Sequence, residues 1–579
     1  MACKLVKTLF LILLCYSPIF SASNQQAFFY LLNEELNAGA ITTSDYIDYQ
    51  LQAIYHPETL SLKYQALLPE ISRTATGLKL QLLSLWPGLT AEQQEGYQHY
   101  FNRPSFDRLE LSLVSPSGLF KIHFTQNGPD AATDEFINNV ALSFDYSYNY
   151  EVNILGFMPP PVDDPENPEY DIYVYNFGDY GASTPENPVT STTRDDYTGW
   201  IEMDNDFTHT LTKGLGAIQV TAAHEFFHLI QFGYRVFMNT EANSIFLFEA
   251  TAAWMEDVVF DDVNDYYNYL PYFFNYPYYS FSQIDGAHEY AMCIFFHYLE
   301  KKYSRSITKQ IWEQFIDSEP YEAIEQSLAM LGSNLNYELA DFAIWNYYTG
   351  ARADTILFYP EGNYYPQLKE QGSYEVNNTL SFQDDVTQLG FNYYRITASA
   401  SGDYAIRPSF SDQQYWIYAV IVEPYDSPAY YTYCGGNGIK NLLDVRALSN
   451  ILLIPIYAKK PASSTISNAN FTMQLTRGNT PQLEDKIIAV FPNPANLSQF
   501  NNVNILFQLE KIGDDITVSI FNENGKIIKK AAIGKQPDGI NSYVWDGTNE
   551  NNEPVASGIY LVFIEADGLI GPGKIALIR

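Results

Sequence analysis

The chain has 579 residues, with 68 acidic against 32 basic side chains and a formal net charge of −36. That length calls for three or four domains, and a hydrophobic content of 46% with only 17% charged residues excludes general disorder. So acidic a surface repels phosphate backbones and anionic lipid, which sets nucleic-acid binding aside; Ca2+ is compatible with it, though charge alone places no ion.

Residues 1–23, MACKLVKTLFLILLCYSPIFSAS, carry a basic start at Lys4 and Lys7, an apolar run from Leu9 to Leu14 and a small-residue exit at Ser21-Ala22-Ser23. This pattern predicts a secretory signal peptide and a secreted, extracellular protein, with attachment at the cell surface left open. No later stretch is apolar for long enough to span a bilayer, so no transmembrane segment is expected in the mature protein. Residues 24–110 read as helical, with Phe28, Leu31, Leu32 and Leu36 on one face and Thr42 to Ser44 as caps for a second helix through Ile47, Leu51 and Ile54. This region is open between a propeptide and an ordinary part of the fold.

Residues 110–207 predict strands at 119–124, 170–177 and 198–207, separated by proline-rich loops at 158–170 and 182–196. Residues 216–350 predict mostly helix. Residues 380–478 return to strands, as in WIYAVIVE (416–423) and NILLIPIYA (450–458), and TRGNTPQLED (476–485) reads as a linker into a last β module at 486–579. The fold class is multidomain α+β: a mixed sheet-and-helix domain at 111–355, a β-sandwich at 380–478 and a second all-β module at 486–579. Beyond the signal only Cys293 and Cys434 remain. They could pair in an oxidising compartment, but the apolar helical run around Cys293 favours a free buried thiol there.

The chemistry-bearing stretch is Gln219-Val-Thr-Ala-Ala-His224-Glu225-Phe-Phe-His228-Leu-Ile-Gln231. On a helix, His224 and His228 stand one turn apart on the same face and can present two imidazoles to one ion. Zinc takes such ligands and leaves a position for water, which Glu225 would deprotonate before passing the proton to a leaving amine. A third ligand is needed, and Glu249 lies 21 positions after His228 in the apolar run Ile245-Phe-Leu-Phe-Glu249-Ala-Thr-Ala-Ala-Trp254. An unpaired carboxylate there is costly, and metal ligation removes the cost. Glu256, two turns on, could hold a ligand imidazole in its tautomer.

These residues resemble the gluzincin metallopeptidases, with H-E-x-x-H on one helix and a ligand Glu on the next. The spacing to Glu249 and Glu256 is most like the aminopeptidase-type branch. TGWIEMDNDF, VTAAHEFFHLIQFGY and FEATAAWMEDVVF also resemble a group of secreted bacterial proteins read as metalloproteases. The resemblance implies a zincin-like catalytic domain, a Zn2+ cofactor and a protein or peptide substrate. It implies an electrophile from a later helix, for which Tyr290 is favoured and His288 is the alternative. It also implies an edge strand that pairs with extended substrate, assigned to TGWIEMDNDF, where Glu202 or Asp204 would meet a substrate amine or simply form a solvated strand face. Ala253 stands where the thermolysin-type branch has Asp, no three-histidine extension follows His228, and Glu202-Met203-Asp204-Asn205 only echoes the aminopeptidase signature. An endopeptidase is therefore expected before an aminopeptidase.

Residues 486–579 resemble the immunoglobulin-like C-terminal modules of secreted bacterial proteins, including hook-capping-type and type-nine-secretion sorting domains. The resemblance is carried by Phe491-Pro492-Asn493-Pro494, an Asn524-Gly525 hairpin turn, Trp545-Asp546-Gly547 and Ser557-Gly558-Ile559-Tyr560. It implies sorting or attachment, with secretion machinery as a partner. Two functions follow: a secreted zinc-dependent peptidase, or an adhesion or binding protein on a catalytically silent zincin scaffold. Retention of Glu225 favours the first.

Overall fold

The computed structural model describes residues 24–68, 75–236, 244–424, 428–461, 466–478, 485–491, 493–496, 502–510, 513–536, 538–566 and 568–579. The signal assignment (1–23) and most of the linker assignment (476–485) therefore lie outside the described residues. The described chain is multidomain α+β, with two sheet-on-sheet units after a sheet-and-helix unit.

The first unit is built on a five-stranded sheet in the spatial order Leu111–Val114, Phe120–Phe124, Tyr170–Tyr175, Tyr197–Asp204, Gly181–Pro188. The three middle strands run parallel and the two outer ones antiparallel to their neighbours. Alternate side chains face opposite layers, as the strand period of two requires. Ile172, Val174, Ile201 and Met203 pack with the helices after the sheet. Tyr173, Tyr175 and Trp200 pack with Ile47, Leu51, Leu78 and Leu82 of the N-terminal helices Thr43–Tyr55 and Ala75–Leu85. The described residues of 24–110 thus form a layer of the fold. Burial of each large ring on that face contributes roughly 1.5–3 kcal/mol, so the layer supports the sheet as well as covering it.

Two elements differ from the expected pattern. The stretch 182–196 was expected as a loop, yet Gly181–Pro188 is the edge strand, with Pro185 paired to Gly199. Proline has no N–H to give a ladder and is tolerated on an edge, which is where this strand lies. Between the strands, Asp134–Tyr148 is a helix started by Thr133, whose hydroxyl accepts the Phe136 N–H at 3.1 Å.

The second unit explains the unbroken apolar runs at 416–423 and 450–458. In strand Trp416–Glu423, Ile417, Ala419 and Ile421 join the core of the helical unit, while Trp416, Tyr418, Val420 and Val422 face the sandwich interior. Both faces are covered, so polar alternation disappears. Cys293 and Cys434 are both buried and are not joined in a disulfide.

The C-terminal module has its own core around Ile505, Phe507, Val518, Trp545 and Val562. Its strand Asp538–Trp545 continues the preceding sandwich's sheet by a parallel pairing of Cys434 with Asp538 and Gly435 with Gly539, and the Lys535 N–H donates to Gly332 O at 3.3 Å. The predicted hairpin is present, with Gly525 at φ +74° between Gly513–Asn522 and Ile527–Gln536. Since the module has a complete core of its own, a chain ended near residue 482 is expected to stay soluble and to match the full chain in metal content. Size-exclusion chromatography with metal analysis checks this, and insoluble protein would show the module to be a structural prop. No helix among the described residues is long and apolar enough to cross a membrane.

Candidate metal centre

Helix Gly214–Tyr234 carries His224, Glu225 and His228, and helix Ile245–Val259 packs beside it with Glu249 and Glu256. Both helices are apolar almost all round, which suits burial on every side. The structure brings the Nε2 atoms of His224 and His228 to 3.1 Å of one another. Each lies 3.4 Å from Glu249 Oε2. Three donors around a tetrahedral zinc with bonds of about 2.0–2.1 Å stand about 3.3–3.4 Å apart, so the spacing fits that ion.

The outer hydrogen bonds orient these donors. His224 Nδ1 is 2.7 Å from Glu256 Oε1, and His228 Nδ1 is 2.7 Å from Gln231 Oε1. The Gln231 amide is fixed because its Nε2 donates to Phe248 O at 3.0 Å and Thr251 Oγ1 at 3.1 Å. Both Nδ1 atoms are therefore held as donors, and both Nε2 atoms face Glu249, where a metal ion that displaces their protons would take their lone pairs. Glu249 is 1% exposed, and neither of its carboxylate oxygens has a hydrogen-bond partner. Burial alone would push the Glu249 carboxyl up, but the imidazoles of His228 and His224 hold it down to about 2. Burial likewise disfavours charge on His224, yet the neighbouring carboxylates of Glu249 and Glu256 raise it to about 10. A buried cluster with these preferences calls for a positive charge at its centre, as a metal ion would supply.

Gln231 was not singled out from the sequence. Its signal was a lone amide in FHLIQFGY, three positions after His228 on the same helix face. Gln231→Leu is expected to weaken zinc binding by ~10–100-fold while leaving the helices intact. Competition with a chromogenic chelator measures this, and unchanged affinity would remove Gln231 as a positioning residue.

Glu225 lies on the sheet side. Ser183 of the edge strand donates to Glu225 Oε2 at 2.8 Å and to its carbonyl at 2.9 Å. Gly181 permits this approach, since a Cβ there would stand 2.8 Å from Glu225 Cγ. Ser183 was hidden from sequence reasoning because its strand reads as a proline loop.

Tyr290 and His288 sit two positions apart on one short helix, and a helix turns about 200° over that interval, so they face different surroundings. Tyr290 stacks on His224 with ring centroids 5.9 Å apart, and its hydroxyl is buried without a hydrogen-bond partner. Burial and the charges of Glu249, Glu289 and Asp179 push the phenol well above its usual range, so it stays a proton donor. His288 instead packs on Phe273 and Tyr279, and burial pushes its pKa down. His288 is therefore corrected from alternative electrophile to a core residue.

The strand TGWIEMDNDF is corrected as well: Tyr197–Asp204 is internal to the sheet, so it cannot be the edge that receives substrate. Glu202 lies under the N-terminal layer, 2.6 Å from both Lys79 Nζ and Tyr55 Oη. Asp204 accepts the N–H groups of Phe177 at 3.0 Å and Asp206 at 3.1 Å. Neither is placed to meet a substrate amine, nor is either a solvated surface acid.

Fold and site together define a multidomain α+β protein with a buried His-His-Glu cluster and C-terminal β modules. Residues 124–411, just under half of the chain, match a family of unknown function (DUF6055), and residues 495–568 match the FlgD Ig-like domain. The basal-body rod modification protein FlgD of Escherichia coli (strain K12) is 32% identical over 59 residues, covering 10% of this chain and 26% of that protein. Among solved structures, dimeric latent PorU from Porphyromonas gingivalis is 16% identical, covering 36% of this chain and 19% of its own, with a TM-score of 0.14. The Aeromonas hydrophila PliG, a periplasmic inhibitor of g-type lysozyme, is 11% identical, covering 19% of this chain and 98% of its own, also at 0.14. Likenesses at those TM-scores carry no argument about fold or activity.

Proposed function

We propose that this chain is a secreted zinc-dependent peptidase of zincin-like architecture, with His224, His228 and Glu249 as ligands. The observation that carries the reading is the triangle of donor atoms 3.1–3.4 Å apart with both imidazoles held through Nδ1. A zinc ion held by these three residues would supply Lewis acidity, polarising a substrate carbonyl and lowering the pKa of a water. Glu225 accepts the proton at its carboxylate and returns it to the leaving amine, and the Ser183 hydroxyl fixes the Glu225 rotamer. The Tyr290 hydroxyl, kept protonated by burial and neighbouring carboxylates, donates to the oxygen on which negative charge develops. Glu256 and Gln231 act as positioning residues through the two imidazoles. The C-terminal Ig-like module would serve export or surface attachment.

The second reading, a binding protein on a silent scaffold, draws on one observation: His224, Glu225, His228 and Glu249 are each at most 4% exposed. Zinc analysis of the full chain, together with hydrolysis of short and long peptides, separates the two. One equivalent of zinc with turnover supports the peptidase. One equivalent without turnover supports the scaffold, and absence of zinc removes both.

A further inference from the structure

The strand edge beside the metal centre is already occupied. Helix Ala75–Leu85 begins there, with the Ala75 N–H donating to Asp179 Oδ2 at 3.4 Å. The Thr76 hydroxyl accepts the Ser183 N–H at 2.8 Å and donates to Glu225 Oε2 at 3.4 Å. At Gly77 a Cβ would stand only 2.7 Å from Glu249 Oε1, so the helix backbone lies directly over the third ligand. An extended peptide adding to this edge would need the Ser183 N–H and the space above Glu249. The N-terminal layer holds both, and its aromatic packing on Tyr173, Tyr175 and Trp200 keeps it there.

Access remains from another side. A cavity of about 210 Å³ runs from the exposed rim at Thr43 to Glu249 and Tyr290. At ~30 Å³ of liquid volume per water it holds about seven waters, which is room for one chain end or one side chain. Its ionisable side chains include Asp285, Glu289 and Glu249, and among the described residues no Lys or Arg lines it. Glu289 accepts the N–H groups of Gly286 at 3.0 Å and Ala287 at 3.1 Å. Burial and the nearby Asp285 push the Glu289 carboxyl up to about 8. A cation seated beside it would favour its ionised form. Glu249 and Tyr290 line this cavity, and the Tyr290 hydroxyl and both Glu249 carboxylate oxygens are buried without a hydrogen-bond partner.

We propose that this pocket receives the positively charged end of a small substrate, an ammonium or guanidinium group, and that helix Ala75–Leu85 excludes extended polypeptide from the metal centre. The inference rests on the peptidase reading for its chemistry but not for its binding. It replaces the expected endopeptidase with an enzyme that works on chain ends or short peptides.

Two measurements on the full chain test it. In calorimetry with argininamide, binding is expected and should weaken about tenfold in Asp285→Asn, as loss of one charge-assisted contact implies. Asn keeps an oxygen for the Ala287 and His288 N–H groups that Asp285 Oδ1 accepts, so the loop is retained. No binding, or equal binding by the variant, overturns the pocket assignment whatever the turnover. In the second measurement the zinc-loaded chain meets leucine anilide, N-acetyl-leucine anilide, N-acetyl-arginine anilide and a long neutral peptide blocked at both ends. Cleavage of leucine anilide but not its acetylated form assigns the pocket to a free amino terminus, and cleavage of N-acetyl-arginine anilide assigns it to a basic side chain. Cleavage of the blocked long peptide as fast as the cationic substrates overturns the inference and leaves the peptidase reading standing. Binding of argininamide with no hydrolysis of any substrate overturns the peptidase reading and leaves the pocket.

Discussion

Glu225→Gln is expected to retain one equivalent of zinc and to lose ~10²–10⁴-fold in kcat, the usual contribution of a general base. Glutamine has nearly the shape of glutamate, and its side-chain oxygen can still accept the Ser183 hydroxyl that lies 2.8 Å from Glu225 Oε2. The rotamer and the fold should therefore persist. What is lost is a carboxylate able to take a proton and give it back. The metal ligands are not touched, so zinc content is the internal control. Hydrolysis at the wild-type rate by a zinc-loaded variant would show that Glu225 is not the base. A fall in both zinc and rate would point to a structural role next to His224.

Glu249→Ala is expected to strip the metal. The substitution leaves two imidazoles with Nε2 atoms 3.1 Å apart and no anion between them. It also removes the charge that, with Glu256, raises the His224 pKa to about 10 against the pull of burial. Zinc affinity should fall by more than the ~10–100-fold typical of outer hydrogen-bond partners, and catalysis should vanish with it. Equilibrium dialysis against buffered zinc measures the change, with circular dichroism to confirm the fold. Glu249→Gln, which keeps the volume, separates loss of the charge from loss of packing. Near-full zinc in both variants would take Glu249 out of the ligand set.

Much of the candidate site was legible because helical geometry is local. His224 and His228 share a face by their spacing alone, and Glu249 stood out as one carboxylate in an apolar run. The C-terminal hairpin was legible for the same reason, since Asn524-Gly525 specifies its turn within two residues. The edge strand was not legible. Pro185 and Pro188 signal a loop unless sheet order is known, and only at an edge do their missing N–H groups go unneeded. Tyr290 was favoured over His288 from the sequence, and the direction of one short helix separated their surroundings.

The sequence by itself determined the two-histidine face, the position of Glu225 beside it, the acidic surface and the order of helical and β units along the chain. These follow from composition and from periods of two and 3.6 residues, which no distant contact can alter. Tertiary structure decided the rest. It set Gln231 on His228, placed Ser183 against Glu225 and buried Glu202 with Lys79. It also laid helix Ala75–Leu85 across the metal centre, so that Thr76 meets Glu225 from 149 positions away. Such pairings arise when layers close on one another to bury Trp200, Tyr173 and Tyr175. The free energy of that closure comes from apolar area summed over the whole interface, which no single segment of sequence carries.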